Sequence, residues 1–196
     1  MSLKYYGNLH IIGVILLKKV YIIRHCEAKG QPSEAQLTDK GFKQAIEISK
    51  FFAGIKIDRI ISSPYKRAIQ SIEPLATRLN LEIEINRKLI ERVLSTESLS
   101  DWLDKLKATF EDFELTFEGG ESSQEAMKRI VKIIEDVFNN EHENTIIVTH
   151  GNLMSLLLNF YNKNFGFDDW QNLSNPDIYL LKNVGNKVIY ERLWKQ

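Results

Sequence analysis

A short apolar run that leads directly into an arginine and a histidine constrains this chain more than any other feature. The run extends from Val20 to Ile23, and Arg24 and His25 follow it at once. Consecutive β-favouring residues that end at a polar loop predict a strand buried on both faces, as in a parallel sheet. In such sheets ligands bind at the carboxyl ends of the strands. We therefore expect Arg24 and His25 to lie at a binding site.

A second stretch near the C-terminus has the same form. The apolar run 145–148 leads into Thr149-His150-Gly151-Asn152, and a helix-like run begins at Leu153. An imidazole beside a fixed cation suits a nucleophile that attacks an anionic substrate. The sequence thus predicts two histidines at the ends of two strands.

A third segment, 60–68, predicts a strand, a turn and a helix. Pro64 would open the helix, because proline suits a first helical position. Arg67 would then lie in the first turn, beside backbone N–H groups that attract anions. This arginine is a second candidate for contact with an anionic substrate.

Together, R-H-x-E at 24–27, S-S-P-x-x-R-A at 62–68 and T-H-G-N at 149–152 resemble, in this order, the histidine phosphatase superfamily. That family includes the cofactor-dependent phosphoglycerate mutases and many small phosphatases, and the resemblance runs from about residue 19 to the C-terminus. Alternating predicted strands and helices favour a mostly parallel sheet covered on both faces. The fold expected is a three-layer α/β/α sandwich, phosphoglycerate mutase-like.

The chemistry of the residues and the resemblance assign the same roles. His25 is the candidate nucleophile that forms a phosphohistidine, since an imidazole with a pKa of ~6.5 is largely neutral at neutral pH. Arg24 and Arg67 would bind the phosphoryl oxygens, because a guanidinium is always charged and presents a fork of donors. His150 would donate to the same oxygens.

Three further residues are candidates for the site. Glu91 is the candidate general acid, because it follows the third predicted strand by a few residues; the alternative is a surface glutamate paired with Arg87 or Arg92. Relatives often carry a glutamate here, followed by a glycine-containing pattern that this chain lacks. Asn152 and Gln31 are candidate substrate-binding residues, and Gln31 stands where mutase-like relatives usually carry asparagine.

Cys26 invites comparison with the cysteine-dependent phosphatases, whose pattern is H-C-x5-R. The arginine of that pattern would fall at Pro32, so the pattern is not met. We interpret Cys26 as a packing residue, with an exposed, oxidisable thiol as the alternative. The sequence has no Cys-x-x-Cys, no His-x-x-x-His and no glycine-rich nucleotide loop, so we expect neither a metal ion nor another cofactor.

The segment between Glu91 and Gly119 should cover the site, and it is short and acidic. Its acidic residues are Glu97, Asp101, Asp104, Glu111, Asp112, Glu114 and Glu118, against Arg92, Lys105 and Lys107. A mutase needs extra cations to hold a phosphorylated, carboxylated intermediate, so this composition favours hydrolysis. Its aromatic residues are assigned to helix packing, with contact to an apolar part of a substrate as the alternative: Trp102, Phe110, Phe113 and Phe117.

The function expected is therefore a metal-independent phosphomonoester hydrolase that acts on a small phosphorylated metabolite through phosphohistidine. Two alternatives remain open, a phosphoglycerate mutase-type phosphotransferase and an inactive phosphate-binding regulatory module. Lys+Arg and Asp+Glu number 26 each, which gives no sign of a nucleic-acid surface. The single cysteine fits a reducing, cytoplasmic setting. The oligomeric state is not predicted.

The N-terminus differs in character from the rest of the chain. Residues 11–17 form an apolar run that is too short to span a bilayer and is followed, not preceded, by lysines. We expect residues 18–196 to form a single catalytic domain and residues 1–17 to be an extension outside the fold. A misplaced start, with Leu17 encoded by TTG, would explain the extension; an extra strand or packing arm is the alternative.

Overall fold

Strands and helices alternate through residues 18–185 and 187–194, the part of the chain that this computed structural model describes. The strands are β1 (Lys19–Arg24), β2 (Arg59–Ser62), β3 (Ile83–Ile85), β4 (Asn144–Thr149), β5 (Asp177–Val184) and β6 (Lys187–Arg192). The helices are α1 (Asp39–Phe51), α2 (Lys66–Leu79), α3 (Trp102–Glu111), α4 (Ser123–Asn139), α5 (Gly151–Tyr161) and α6 (Phe167–Gln171), with a 3₁₀ helix at Arg87–Leu89.

The strands of the described residues form one sheet in the order β3-β2-β4-β1-β5-β6. β1 to β4 run parallel to one another, whereas β5 is antiparallel to β1 and β6 is antiparallel to β5. The mostly parallel sheet predicted from the sequence is confirmed. The sequence also predicts a closing hairpin with its turn at Gly185-Asn186, and β5 and β6 form this hairpin. Asn186 lies outside the described residues, as do residues 1–17.

Helices cover both faces of the sheet, because its central strands are apolar on both sides. Along β1 the buried side chains alternate, so that Val20 and Ile22 join one hydrophobic cluster while Tyr21 and Ile23 join the other. Side chains of α4 and α5 complete the first cluster, and side chains of α1 and α2 complete the second. This arrangement is the predicted three-layer α/β/α sandwich.

Local capping signals decide where two of the helices begin. The sequence also predicts Thr38 as a helix N-cap, and in the structure it caps α1: its Oγ1 accepts a hydrogen bond from the N–H of Gly41 at 3.0 Å. Ser122 caps α4 and exchanges hydrogen bonds with Glu125 three residues later, which is a capping box. Both caps satisfy backbone N–H groups that have no partner within the helix.

The prediction that α2 opens at Pro64 is wrong. Tyr65 has extended backbone angles (φ −66°, ψ 134°) and serves as the N-cap, so the helix begins at Lys66. The N–H of Tyr65 is donated to Ser63 Oγ at 3.3 Å, within a turn that precedes the helix. Arg67 still lies in the first turn of α2, as expected.

Two further helices differ from expectation. The charged segment 99–113 also predicts a helix, but the helix in the structure is shorter and spans only α3. No pattern in the sequence predicts α6. In the part of the chain that the structure describes, no helix is both long enough and apolar enough to cross a membrane.

Candidate active site

Three strand ends meet at one edge of the sheet. β1 and β4 pair so that Arg24 lies opposite Thr149, and β2 and β4 pair so that Ser62 lies opposite Val148. The chain leaves β1 toward the α1 face and leaves β4 toward the α5 face, so the crevice between them is a topological switch point. Open α/β sheets bind their ligands at such points.

His25 is held in one tautomer by its two neighbours. Its Nδ1 lies 2.7 Å from the carbonyl oxygen of Cys26, and Arg67 Nε lies 3.1 Å from its Nε2. A guanidinium nitrogen can only donate, so Nε2 must accept, and Nδ1 carries the proton and donates to the carbonyl. The lone pair of Nε2 therefore faces the guanidinium of Arg67.

Burial lowers the pKa of His25; the hydrogen bond to the Cys26 carbonyl opposes this effect and the charges of Arg67 and Arg24 add to it, so that the pKa falls to about 3. The imidazole is consequently neutral at neutral pH. A neutral ring with one unprotonated nitrogen is the form that a nucleophile requires.

Arg67 is almost fully buried, with 1% of its surface exposed. Its Nη1 donates to the carbonyl oxygens of Gln31 at 2.9 Å and Pro32 at 2.8 Å, and its guanidinium lies 4.8 Å from the centre of the Tyr65 ring. These contacts fix the side chain and tie it to the loop that follows β1. They leave Nη2 without a hydrogen-bond partner among the described residues.

Arg24 is anchored from the opposite side of the crevice. Its Nη1 donates to the carbonyl oxygen of Leu173 at 2.9 Å, and its Nε is buried with no partner in the described part of the chain. The guanidinium lies against Gly151, where a Cβ atom would come within 3.0 Å of Nε. Close approach of Arg24 to the start of α5 therefore depends on glycine at this position.

His150 lies behind His25 rather than beside the cavity. It is fully buried, its ring centre is 5.1 Å from that of His25, and its Nε2 lies 2.8 Å from Ser63 Oγ. Its Nδ1 has no partner among the described residues. Burial, followed by the electrostatic effect of the nearby His25 and Arg67 side chains, lowers its pKa well below the usual value, so this ring is also neutral.

Glu91 reaches the crevice and contacts the start of α5. Its Oε2 accepts from the N–H of Asn152 at 3.0 Å, and its Oε1 accepts from the N–H groups of Leu153 and Arg92, each at 2.9 Å. Within the described residues it forms no ion pair with the side chain of Arg87 or Arg92, which was the alternative considered for this residue. Glu91 thus supplies the side-chain cap that His150, the N-cap residue of α5, does not.

A cavity of about 1260 Å³ opens above these residues. Of the residues predicted for the site, it is lined by Arg24, His25, Gln31, Arg67, Glu91 and Asn152. The structure therefore brings together six of the seven predicted residues at one cavity, with His150 directly behind them. Gln31 is exposed, whereas Asn152 is buried and both polar atoms of its amide lack partners in the described part of the chain.

Two contacts of the site were not predicted. Asn175 also lines the cavity, and its Nδ2 donates to the carbonyl oxygen of His25 at 2.8 Å. Ser63 was noted only as part of a motif, yet its hydroxyl contacts His150. Both contacts depend on the orientation of the main chain at strand ends, which no side-chain pattern indicates. The Asn175-Pro176 dipeptide signals a turn but not its contact with His25.

Cys26 packs in the core, as interpreted from the sequence. It is fully buried, and burial raises the pKa of its thiol to about 12, so the reactive thiolate is disfavoured. In the described ranges of the chain, no group of three or more histidine, cysteine, aspartate or glutamate side chains is placed to hold a metal ion.

Known proteins share both the sequence pattern and the fold. A family model described as the histidine phosphatase superfamily (branch 1) matches residues 20–191. The chain is 24% identical over 157 residues to "Putative phosphoserine phosphatase 2" of Hydrogenobacter thermophilus, a match that covers 72% of this chain and 77% of that protein. It is 26% identical over 145 residues to phosphoserine phosphatase 1 of the same organism, covering 66% of this chain and 69% of that protein.

Solved structures agree on the fold. A mycobacterial glucosyl-3-phosphoglycerate phosphatase superposes with a TM-score of 0.72 at 19% identity, covering 90% of this chain and 97% of that one. A phosphoserine phosphatase of Entamoeba histolytica, solved with 3-phosphoglyceric acid, also gives 0.72 at 19% identity, covering 91% of this chain and 98% of that one.

Proposed function

We propose that this chain, which belongs to the histidine phosphatase superfamily (branch 1), hydrolyses a small phosphomonoester through a phosphohistidine at His25. The contact between Arg67 Nε and His25 Nε2 at 3.1 Å carries the proposal. It places a permanent cation beside the lone pair of a neutral imidazole. An arginine at this point can bind the phosphoryl group and align it with the attacking nitrogen.

In the first step, Nε2 of His25 attacks phosphorus while the bond from phosphorus to the ester oxygen breaks. Arg24 and Arg67 bind the oxygens of the phosphoryl group and offset its charge. The leaving oxygen takes a proton from the carboxylic acid form of Glu91 and departs as an alcohol.

In the second step, water attacks phosphorus and the bond to Nε2 breaks. Glu91, now a carboxylate, accepts a proton from the water, and inorganic phosphate leaves. The hydrogen bond from Nδ1 to the Cys26 carbonyl holds the ring in place and keeps Nε2 unprotonated for the next cycle. His150 supports the site from behind as a neutral ring against His25.

The named activities of the relatives support a phosphatase rather than a mutase. The matched proteins of Hydrogenobacter are named for phosphoserine, and the structural neighbours are named as phosphatases of phosphoserine and glucosyl-3-phosphoglycerate. A small phosphorylated metabolite is therefore the proposed substrate class. A cytoplasmic location belongs to the same proposal, supported by the single, buried cysteine; cell fractionation would test it.

The test is hydrolysis of p-nitrophenyl phosphate in the presence of EDTA, with wild type compared with His25→Ala. We expect the wild type to be active with EDTA and the kcat of the variant to be at least about a thousandfold lower, since removal of a covalent nucleophile commonly lowers the rate that much. A phosphorylated intermediate should be trapped by rapid acid-free quenching in the wild type alone.

Each other result has a distinct meaning. Activity that survives His25→Ala would show that another group is the nucleophile. An inactive wild type would favour a mutase, to be identified by isomerisation of 3-phosphoglycerate, or a phosphate-binding module. Activity abolished by EDTA and restored by a divalent cation would contradict a metal-independent reaction.

A further inference from the structure

The cavity has two chemically unlike ends. The end at the strand termini carries Arg24, His25 and Arg67, which suit a phosphoryl group. The other end is formed by the lid segment, residues 92–118, together with α6. Its apolar lining consists of Val93, Leu94, Leu99, Trp102, Leu106 and Trp170. A leaving group that extends from the phosphoryl group toward the lid segment would contact this apolar lining.

Trp102 is the aromatic residue of the lid segment that the protein itself leaves uncovered. It is the first residue of α3, lines the cavity, and has 50% of its surface exposed. The other aromatic residues of the segment have partners: Phe110 contacts Phe167, Phe113 packs on a core cluster, and Phe117 lies under Lys105. A half-exposed indole in the wall of a cavity is a ready contact for an apolar ligand.

Among the described residues of the lid end, the cation that lines the cavity is Arg92, and the protein holds it on two sides. Its Nε and Nη1 donate to the carbonyl oxygen of Glu121 and to Thr109 Oγ1, whereas its Nη2 is buried and has no hydrogen-bond partner among the described residues. Glu97 lines the same end and is exposed. A carboxylate on the substrate would therefore meet a carboxylate of the protein, and like charges at short range repel.

The size of the cavity also exceeds the need of a three-carbon phosphoester. Cavities of about 300–1,000 Å³ accept drug-sized ligands, and this one measures about 1260 Å³. A phosphorylated amino acid or hydroxy acid would fill the cationic end and leave the apolar lining exposed to water. A larger leaving group would bury this lining.

We infer that the substrate is a phosphomonoester whose leaving alcohol carries an uncharged, largely apolar body that packs against Trp102. The inference rests on the proposed function, since it concerns the leaving group of that same reaction. It sets the substrate apart from the phosphoserine and 3-phosphoglycerate that appear in the names of the relatives.

The test compares esters whose alcohols leave with similar ease, so that binding and not leaving ability decides the result. The substrates are 3-phenylpropyl phosphate and hexyl phosphate against phosphoserine, all primary alkyl esters, with release of inorganic phosphate as the readout. We expect kcat/KM for the two apolar esters to exceed that for phosphoserine by at least about tenfold, a modest gain for burial of several methylene groups.

Two variants assign the preference to the lid end. Trp102→Ala should lower kcat/KM for 3-phenylpropyl phosphate about tenfold, mainly through KM, because the lost contact exists before the chemical step. Phe42→Ala, which removes an aromatic ring that is 42% exposed on α1 and away from the cavity, should leave the preference unchanged. Glu97→Lys, at an exposed position, should raise kcat/KM for phosphoserine and so reduce the ratio of kcat/KM for the apolar esters to that for phosphoserine.

The outcomes separate the inference from the function on which it rests. Phosphoserine hydrolysed as well as or better than the apolar esters, in a reaction that His25→Ala abolishes, would overturn the inference and leave the proposed function intact. A preference for apolar esters that survives both Trp102→Ala and Glu97→Lys would also overturn it. If no ester is hydrolysed, or if His25→Ala stays active, the proposed function fails and the inference falls with it.

Discussion

The Glu91 carboxyl has two roles, one in the proposed reaction and one in capping helix α5. Three backbone N–H groups donate to it, two of them from the start of α5, and it also lines the cavity. Glu91→Gln should therefore slow hydrolysis of alkyl phosphates by about 10²–10⁴-fold, the usual contribution of a general acid. The loss for p-nitrophenyl phosphate should be far smaller, because p-nitrophenolate leaves without a proton. Steady-state kinetics on the two substrates checks this.

Glu121→Gln is the matched control for that comparison. Glu121 is ion-paired with Arg129 at 2.6 Å, close to the lid segment but outside the cavity lining. Loss of this pair should affect both leaving groups alike. An equal loss for the two substrates in Glu91→Gln would mean that Glu91 is only a helix cap.

At the level of single residues, motifs indicated which side chains meet but not how they meet. The strand-end positions of Arg24 and His25 followed from an apolar run and a polar exit. The main-chain partner of His25 Nδ1 and the capping contacts of Glu91 did not follow, because they depend on the direction of carbonyl and N–H groups in three dimensions. The buried position of His150 was likewise invisible, since its burial comes from residues distant in the chain.

Helix α5 contacts the site through its first residue, Gly151, which lies against Arg24. Substitution of this glycine by alanine, which adds one methyl group, tests the contact. A Cβ atom at Gly151 would lie 3.0 Å from Arg24 Nε and 3.1 Å from its Cζ. Gly151→Ala should displace the guanidinium by a few tenths of an ångström and lower kcat/KM about tenfold or more, as small misplacements of positioning groups do. The free energy of unfolding should change little, because alanine is the better helix residue.

Gly166→Ala supplies the control for this substitution. Gly166 is the N-cap of α6, and a Cβ atom there would meet no atom of the described residues within 4 Å. Its activity should equal that of the wild type. A Gly151→Ala protein with unchanged kcat/KM for p-nitrophenyl phosphate would show that Arg24 tolerates the displacement or does not bind the phosphoryl group.

The elements best predicted from the sequence were those that the core encloses. β1 and β4 are buried on both faces, so their apolar runs were unambiguous. α6 was missed because a helix of five residues has too few turns to show a period, and its start depends on Gly166 and Asp169. The start of α2 was misplaced because the proline preference competed with a turn closed by Ser63.

For the whole molecule, the two neutral histidines predict a loss of stability in mild acid. Burial lowers the pKa of His25 to about 3 and that of His150 well below its usual value, whereas both side chains titrate near ~6.5 when unfolded. Between these values the unfolded state binds more protons, so stability is complete above pH ~6.5 and falls as the pH falls. Each such histidine contributes a slope of about 1.4 kcal/mol per pH unit near pH 5.

Urea unfolding at intervals between pH 7 and pH 5 measures this slope. His25→Gln should reduce the slope by about 1 kcal/mol per pH unit, since one proton fewer is taken up on unfolding. Parallel stability curves for wild type and variant across this range would show that the pKa of His25 is not lowered in the folded protein. That result would also weaken its assignment as a nucleophile.

The central position of β1 in the sheet delays its pairing while the nascent chain is synthesised. β1 is the first described strand to leave the ribosome, yet its neighbours in the sheet, β4 and β5, begin at Asn144 and Asp177. At about 5–20 residues per second, synthesis of the 120 or so residues up to β4 takes roughly 6–24 s. During that time both edges of this apolar strand lack a pairing partner, and unpaired edges promote aggregation. The segment that later carries the nucleophile therefore needs protection from aggregation during translation.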